Sequence, residues 1–256
     1  MSDPYVIWTM RRTGGTTLAT LLNILSEHPS IQHEPFNVER KLRHIPKMLA
    51  EGGDVKQVRA ELEDCLAHRP VIKHCYELMN PAFNKVLMKV TTKLGYRHIV
   101  LDRRSEAARV ISLELAQLSG AWGAGSTEKI YPEIEAGERA LEPINIERAL
   151  SEMRQSHLRR QELVAMTKWS KPAPFMMYFE DVYTDHVAGR ALIGRLLAYL
   201  GIRPEDHLDY DTLLEDALVQ RGQNSVRIVQ AVPDFDAAKA QLSALEAAQK
   251  KIFVAS

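Results

Sequence analysis

Four short runs rich in β-branched and aromatic residues, Tyr5 to Met10, Arg69 to Tyr76, Tyr96 to Leu101 and Phe175 to Phe179, alternate along the chain with apolar positions at helical spacing. They predict strands; the helical stretches include Leu18, Leu21, Leu22 and Leu25, then Val55, Val58, Leu62 and Leu66, then Phe83, Val86, Leu87, Val90 and Leu94. A weaker fifth run, Ile31 to Asn37, predicts a short strand or loop. Polar residues mark the helix starts at Asp54, Asn80 followed by Pro81, Ser105, Asn145 and Asp185, and Gly95 and Gly201 mark two helix ends. Helices that alternate with continuous apolar strands predict an α/β domain: a central parallel sheet with helices on both faces, in three layers.

Other stretches break the pattern. Residues Glu39 to His44 and Asp206 to Asp216 look like solvated charge, and Arg154, Arg159 and Arg160 fall on the expected outer face of the helix that runs from Asn145 to about Lys168. Ser119 to Asn145 is irregular, with Gly120, Gly123, Gly125 and Pro132, and leaves room only for a short helix around Glu133 to Arg139. A segment of that kind suits a lid or acceptor loop, with Trp122 and Tyr131 as apolar walls. The 256 residues are expected to form a single domain, 1–256, with a helical excursion.

Composition narrows the partners. Lys plus Arg and Asp plus Glu both total 33, so no global field favours nucleic acid or an anionic membrane. Any anion site must be local. Cys65 and Cys75 form no metal-ligand cluster and suit buried reduced thiols, and His74 suits a buried, hydrogen-bonded histidine better than a ligand. No apolar stretch reaches the length of a membrane span, so a cytoplasmic protein without one is expected.

The chemistry concentrates where the first strand ends. Arg11-Arg12-Thr13-Gly14-Gly15-Thr16-Thr17 joins it to a helix, so glycines allow the turn, backbone N–H groups point inward, the helix dipole adds positive charge and the threonines add hydroxyls. An anion is expected there. The loop lacks the Gly-x-x-x-x-Gly-Lys-Ser/Thr spacing of nucleotide triphosphatases, and its cation, Arg12, precedes the glycines. The return from the first crossover brings Glu34 close to this loop, at the sheet edge where ligands collect. A second anion candidate follows the strand that ends Asp102-Arg103-Arg104-Ser105, where Ser112 lies two turns along the next helix. There the planar fork of Arg104 can meet two phosphate oxygens. The alternative for Arg103, Arg104 and Arg109 is a set of surface salt bridges.

The string from Arg12 to Leu18 resembles the 5′-phosphosulfate loop of the sulfotransferases that use 3′-phosphoadenosine 5′-phosphosulfate (PAPS), and the Arg104 to Ser112 spacing resembles their 3′-phosphate motif. Glu34-Pro35 is similar to the site of the general base in trehalose-type bacterial members. The resemblance spans about Tyr5 to Phe179 and implies a P-loop-like fold. It implies PAPS as co-substrate, bound by Arg12, Thr13, Gly14, Gly15, Thr16, Thr17, Arg104 and Ser112. It also implies transfer to the hydroxyl of a small-molecule, carbohydrate or lipid acceptor, with Glu34, or failing that His33, as base. Lys73 ends a strand where the family often has a lysine near the acceptor or the transferring group, and Arg221 falls where a basic loop often covers the nucleotide. The Arg-Lys-Gly string of that loop is missing here. The implied chemistry needs no metal, because arginine and backbone amides supply the positive charge. An ATP-dependent small-molecule kinase and a non-catalytic nucleotide-binding protein of the same fold are the alternatives, and a homodimer is left open.

Overall fold

β1 (Tyr5–Thr9) is buried at every position and bonds to a strand on each side. In this computed structural model, which describes residues 2–219 and 225–252, five strands form one all-parallel sheet in the order β2-β3-β1-β4-β5. β3 (Val71–Cys75) and β4 (Arg97–Asp102) flank β1, and β2 (Ser30–His33) and β5 (Phe175–Tyr178) lie at the edges. The chain runs from β1 first to one side and then to the other, so the loop after β1 lies where the strand order reverses, the usual place for a ligand in an open α/β sheet.

Strand alternation sorts side chains between two faces. Tyr5, Ile7, Val71, Ile99, Leu101 and Met177 pack with α1 (Gly15–Leu25), α9 (His186–Leu200) and α10 (Tyr210–Val219). His74 and His98 point the other way, to α4 (Pro81–Lys93), against which α2 (His44–Ala50) and α3 (Val55–Cys65) pack. The expected α/β class with helices on both faces is what the chain forms. Asp54, Asn80, Ser105, Asn145 and Asp185 each accept a backbone N–H at a helix start, as their sequence positions predict.

The second face carries a buried polar layer. Trp8 Nε1 donates to His98 Nδ1 at 2.9 Å, which leaves the proton of a neutral ring on Nε2, 3.1 Å from Thr92 Oγ1. Asn84 Nδ2 donates to the Tyr76 carbonyl, so its Oδ1 accepts from His74 Nε2 at 2.7 Å. His74 is therefore a satisfied core residue. Burial lowers both imidazoles, to about 4 in each case.

The described residues fall into two compact units. The sheet unit comprises residues 2–102 and 159–219; residues 103–158 and 225–252 form a helical unit. In the helical unit α5 (Glu106–Ser119), α6 (Ala124–Glu135), the part of α7 (Ile146–Thr167) up to Leu158, and α11 (Phe235–Ala248) bury Tyr131, Ile134, Met153 and Leu242. Apolar spacing shows that a helix has an inner face but not which core that face joins. That is why the division is absent from the pattern.

Several local expectations are corrected. The segment expected to be irregular contains α6, because burial of Tyr131 and Ile134 outweighs the poor helix propensity of Gly125 and Pro132. Tyr131 is a core residue and no acceptor wall, while Trp122 is exposed. The acidic stretch after Asp206 contributes the buried Leu214 and Leu218 of α10. Arg109 is fully buried and bonds Glu106, Glu152 and Ser156 instead of lying on the surface. Arg160 is also buried, its Nε and Nη2 donating to the two oxygens of Asp102 at 2.6 and 2.9 Å. Both buried arginines face carboxylates distant in sequence or on a neighbouring turn, which periodicity alone cannot reveal.

The buried histidines predict an acid-sensitive sheet unit. Each binds its proton near pH 6.5 in the unfolded chain but only near about 4 when folded, so the unfolded state holds more protons across that window. Stability is expected to fall as pH drops through it, by roughly 1.4 kcal/mol per unit for each histidine. Urea midpoints followed by tryptophan fluorescence from about pH 7 to about pH 4 measure this; a flat midpoint would contradict it.

Candidate functional site

β1 ends at Thr9, and the chain turns through Met10 to Gly14 before α1 begins at Gly15. One limb of this loop is anchored by Glu77, whose Oε1 accepts the Arg11 backbone N–H at 2.8 Å and Arg11 Nε at 3.0 Å. The other is tied down from inside, where the buried Thr13 hydroxyl donates to the Met10 carbonyl at 2.8 Å and bonds the Thr9 hydroxyl. The Thr13 side chain therefore braces the loop from within.

Arg12 and Gly14 have left-handed backbones, with φ of 71° and 79°, on either side of Thr13, whose φ is negative. Alternation of left-handed and right-handed residues is the backbone pattern from which anion-receptive nests are built. Gly14 is required twice. Its φ disfavours any side chain, and a Cβ there would lie 2.7 Å from Tyr183 Cε2 and 2.9 Å from Phe179 Cδ2. Tyr183, at the end of α8 (Phe179–Tyr183), donates its hydroxyl to the Gly14 carbonyl at 3.2 Å. As the N-cap of α1, Gly14 has no side chain with which to cap the helix, and the first turn holds no acidic residue. The positive end of the α1 dipole thus carries no counter-charge of its own turn.

Glu34 follows β2 with φ of 57°, a conformation that costs a non-glycine residue on the order of 1–3 kcal/mol. Its N–H donates to the Lys73 carbonyl and its carbonyl accepts from the Asn37 N–H, both at 3.1 Å, so strand pairing and a tight turn hold the strain. Three neighbours meet at its carboxylate. The Glu34 carboxylate is paired with Lys73 Nζ, accepts from Cys75 Sγ on Oε1 at 3.2 Å, and accepts from Asn37 Nδ2 on Oε2 at 2.5 Å. Lys73 Nζ also donates to Thr16 Oγ1 at 3.1 Å, so one ammonium joins the carboxylate to the first turn of α1.

Electrostatics follow from this packing. Burial would raise the Glu34 carboxyl, but the charge and hydrogen bond of Lys73, with Cys75 and Arg40, outweigh it and hold the group below the ordinary carboxylate value. The half-buried His33 is held below 6.5 by burial first and by Lys73 second, against the opposing pull of Glu34. Burial and then Glu77 push the Cys75 thiol well above its usual range, so it is a hydrogen-bond donor, not a nucleophile.

The structure therefore brings Glu34 together with Thr16 of the cradle, through Lys73. Thr17 is half-buried in the same turn and Arg12 is partly exposed in the loop. In the helical unit, Arg104 is exposed just before α5 and Ser112 is buried on that helix. Arg221 lies outside the described residues. Two contacts are absent from the sequence reading. The first is the bridge that Lys73 makes between Glu34 and Thr16. The second is Glu246, on α11, whose carboxylate accepts from the Ser105 hydroxyl at 3.1 Å and from the Glu106 backbone N–H, so the start of α5 already meets an acidic group. A negative charge at a helix start is a signal that spacing cannot supply when the two residues are so far apart in the chain.

Gly14→Ala is expected to destabilise the protein by about 2 kcal/mol or more, because strain at positive φ adds to overlap with Tyr183 and Phe179. Urea unfolding measures the loss, and an unchanged midpoint would mean that the loop relaxes freely. A scan against models of protein families gives no match for this chain, and a comparison with curated proteins gives none.

Proposed function

We propose that the protein is a PAPS-dependent sulfotransferase, in which the cradle between β1 and α1 receives the 5′-phosphosulfate and Glu34 takes the proton of an acceptor hydroxyl. One observation carries the reading: the carboxylate of Glu34 is tied through Lys73 to Thr16, at the start of a helix without a capping side chain. An anion at the helix start and a base beside it are the two requirements of sulfuryl transfer. The resemblance of the loop and of the Glu34-Pro35 pair to that family supports the same assignment.

In the transfer the acceptor oxygen forms a bond to sulfur as the bond from sulfur to the bridging oxygen breaks. The electron pair leaves with 3′,5′-bisphosphoadenosine. Arg12, the loop N–H groups and the hydroxyls of Thr16 and Thr17 neutralise the charge that builds on the leaving phosphate. Glu34 receives the hydroxyl proton, through Oε2 in this geometry, because Oε1 already has two donors, Lys73 and Cys75. His33, neutral near pH 7, is the base of second choice. The sequence pattern assigns the 3′-phosphate to Arg104 and Ser112.

Calorimetry is expected to show that 3′,5′-bisphosphoadenosine binds far better than AMP or ATP·Mg²⁺; tighter binding of ATP·Mg²⁺ would replace this reading with a kinase. Arg104→Ala is expected to weaken bisphosphoadenosine binding by about 1.5–3 kcal/mol without loss of the fold, the scale of a hydrogen bond to a charged group. Glu34→Gln is expected to lower turnover with PAPS by on the order of a hundredfold or more while bisphosphoadenosine affinity stays within a few-fold. Near-normal turnover of that variant, together with an inactive His33→Ala, would move the base to the histidine.

A further inference from the structure

The Lys73 ammonium serves two groups that the reaction uses at different moments. It pairs with Glu34 and donates to Thr16 Oγ1 at 3.1 Å, and its side chain is almost fully buried, so it has little room beyond these two partners. Gly15 makes that route available: a Cβ at Gly15 would lie 3.1 Å from Lys73 Cε and 3.0 Å from Thr9 Cγ2. A lysine confined between a carboxylate and a helix start will be claimed by whichever neighbour carries more negative charge.

We propose that Lys73 is a positioning residue that couples donor binding to proton abstraction: when an anion occupies the start of α1, the ammonium turns from Glu34 towards it, and the carboxylate is released to act as base. This rests on the sulfotransferase reading. In the protein without donor, Lys73 makes Glu34 a poor base, which discourages futile proton transfer before the phosphosulfate is in place. With the donor bound, the same charge serves the leaving group. Glu34 keeps its position when the lysine turns away, because Asn37 still holds Oε2 and Cys75 still holds Oε1. The charged and titratable groups around the carboxylate are Lys73 and Cys75 from β3, His33 from β2, and Arg40 from the loop that follows. Of these only Lys73 also bonds the first turn of α1 among the described residues. By linkage, an equilibrium that weakens the Lys73–Glu34 pair must bind protons at Glu34.

The test is calorimetric titration of the full chain with 3′,5′-bisphosphoadenosine in two buffers of different protonation enthalpy, which gives the protons taken up per ligand bound. The ligand phosphates and His33 also titrate, so the quantity read is the difference between wild type and Glu34→Gln. At acidic pH wild type is expected to take up a fraction of a proton more than Glu34→Gln, a difference that fades towards neutral pH, where Glu34 is ionised in both states. Lys73→Met is expected to lose most of that difference. Equal uptake by wild type and Glu34→Gln overturns the coupling, and so does a full difference that survives Lys73→Met. Glu34→Gln keeps the shape of the side chain, so the first comparison decides the matter even where Lys73→Met does not fold. Bisphosphoadenosine that binds without the difference overturns this inference alone. Failure of bisphosphoadenosine to bind overturns the sulfotransferase reading and the coupling with it.

Discussion

The pairing of Lys73 with Glu34 fixes the geometry on which the rest of the site depends. A buried ammonium without a partner would be far more costly than the strain it helps to maintain, so the pair keeps Glu34 in a left-handed backbone that a glutamate otherwise avoids. Lys73 comes from the strand beside β1, Glu34 from the end of the edge strand, and Thr16 from the helix after β1. One charge thereby brings three chain segments to the same end of the sheet.

The sheet supports this arrangement from behind. Its two faces differ in kind: one is a continuous apolar layer with α1, α9 and α10, and the other buries Trp8, His74 and His98 in a hydrogen-bonded layer against α4. Satisfied buried polar groups permit few alternative packings, since each rearrangement would leave a donor or acceptor unmatched. The C-terminal ends of β1 and β3 are thus placed by directional bonds as well as by area burial. Arg160 does the same for β4 by its two bonds to Asp102.

Close packing by itself accounts for glycine at position 14. Gly14 is confined by Phe179 and Tyr183 and would be needed even in an empty loop, while a Cβ at Gly15 would press on the side chains of Thr9 and Lys73 at 3.0 and 3.1 Å. A stability loss on substitution is therefore no measure of a ligand contact at these positions.

The sequence by itself determined the fold class, the helix caps and the turn between β1 and α1, because these depend on local interactions: strand and helix periods, short polar residues before helices, and glycines where the backbone turns. The nearness of Glu34 to the cradle followed from chain order in a parallel sheet. Tertiary structure alone decided what the charges do. Lys73 was legible only as a lysine at a strand end, and its two partners lie 39 and 57 residues away. Arg160 had the periodicity of a solvated residue and Arg109 could be read as a surface ion pair, but both are buried, against Asp102 and Glu106. The same holds for the helix around Tyr131 and for the division into two units, since a pattern of apolar positions states that a face is buried and leaves open what it is buried against. Charge pairing and core membership are settled by contacts between distant parts of the chain, and these have no period.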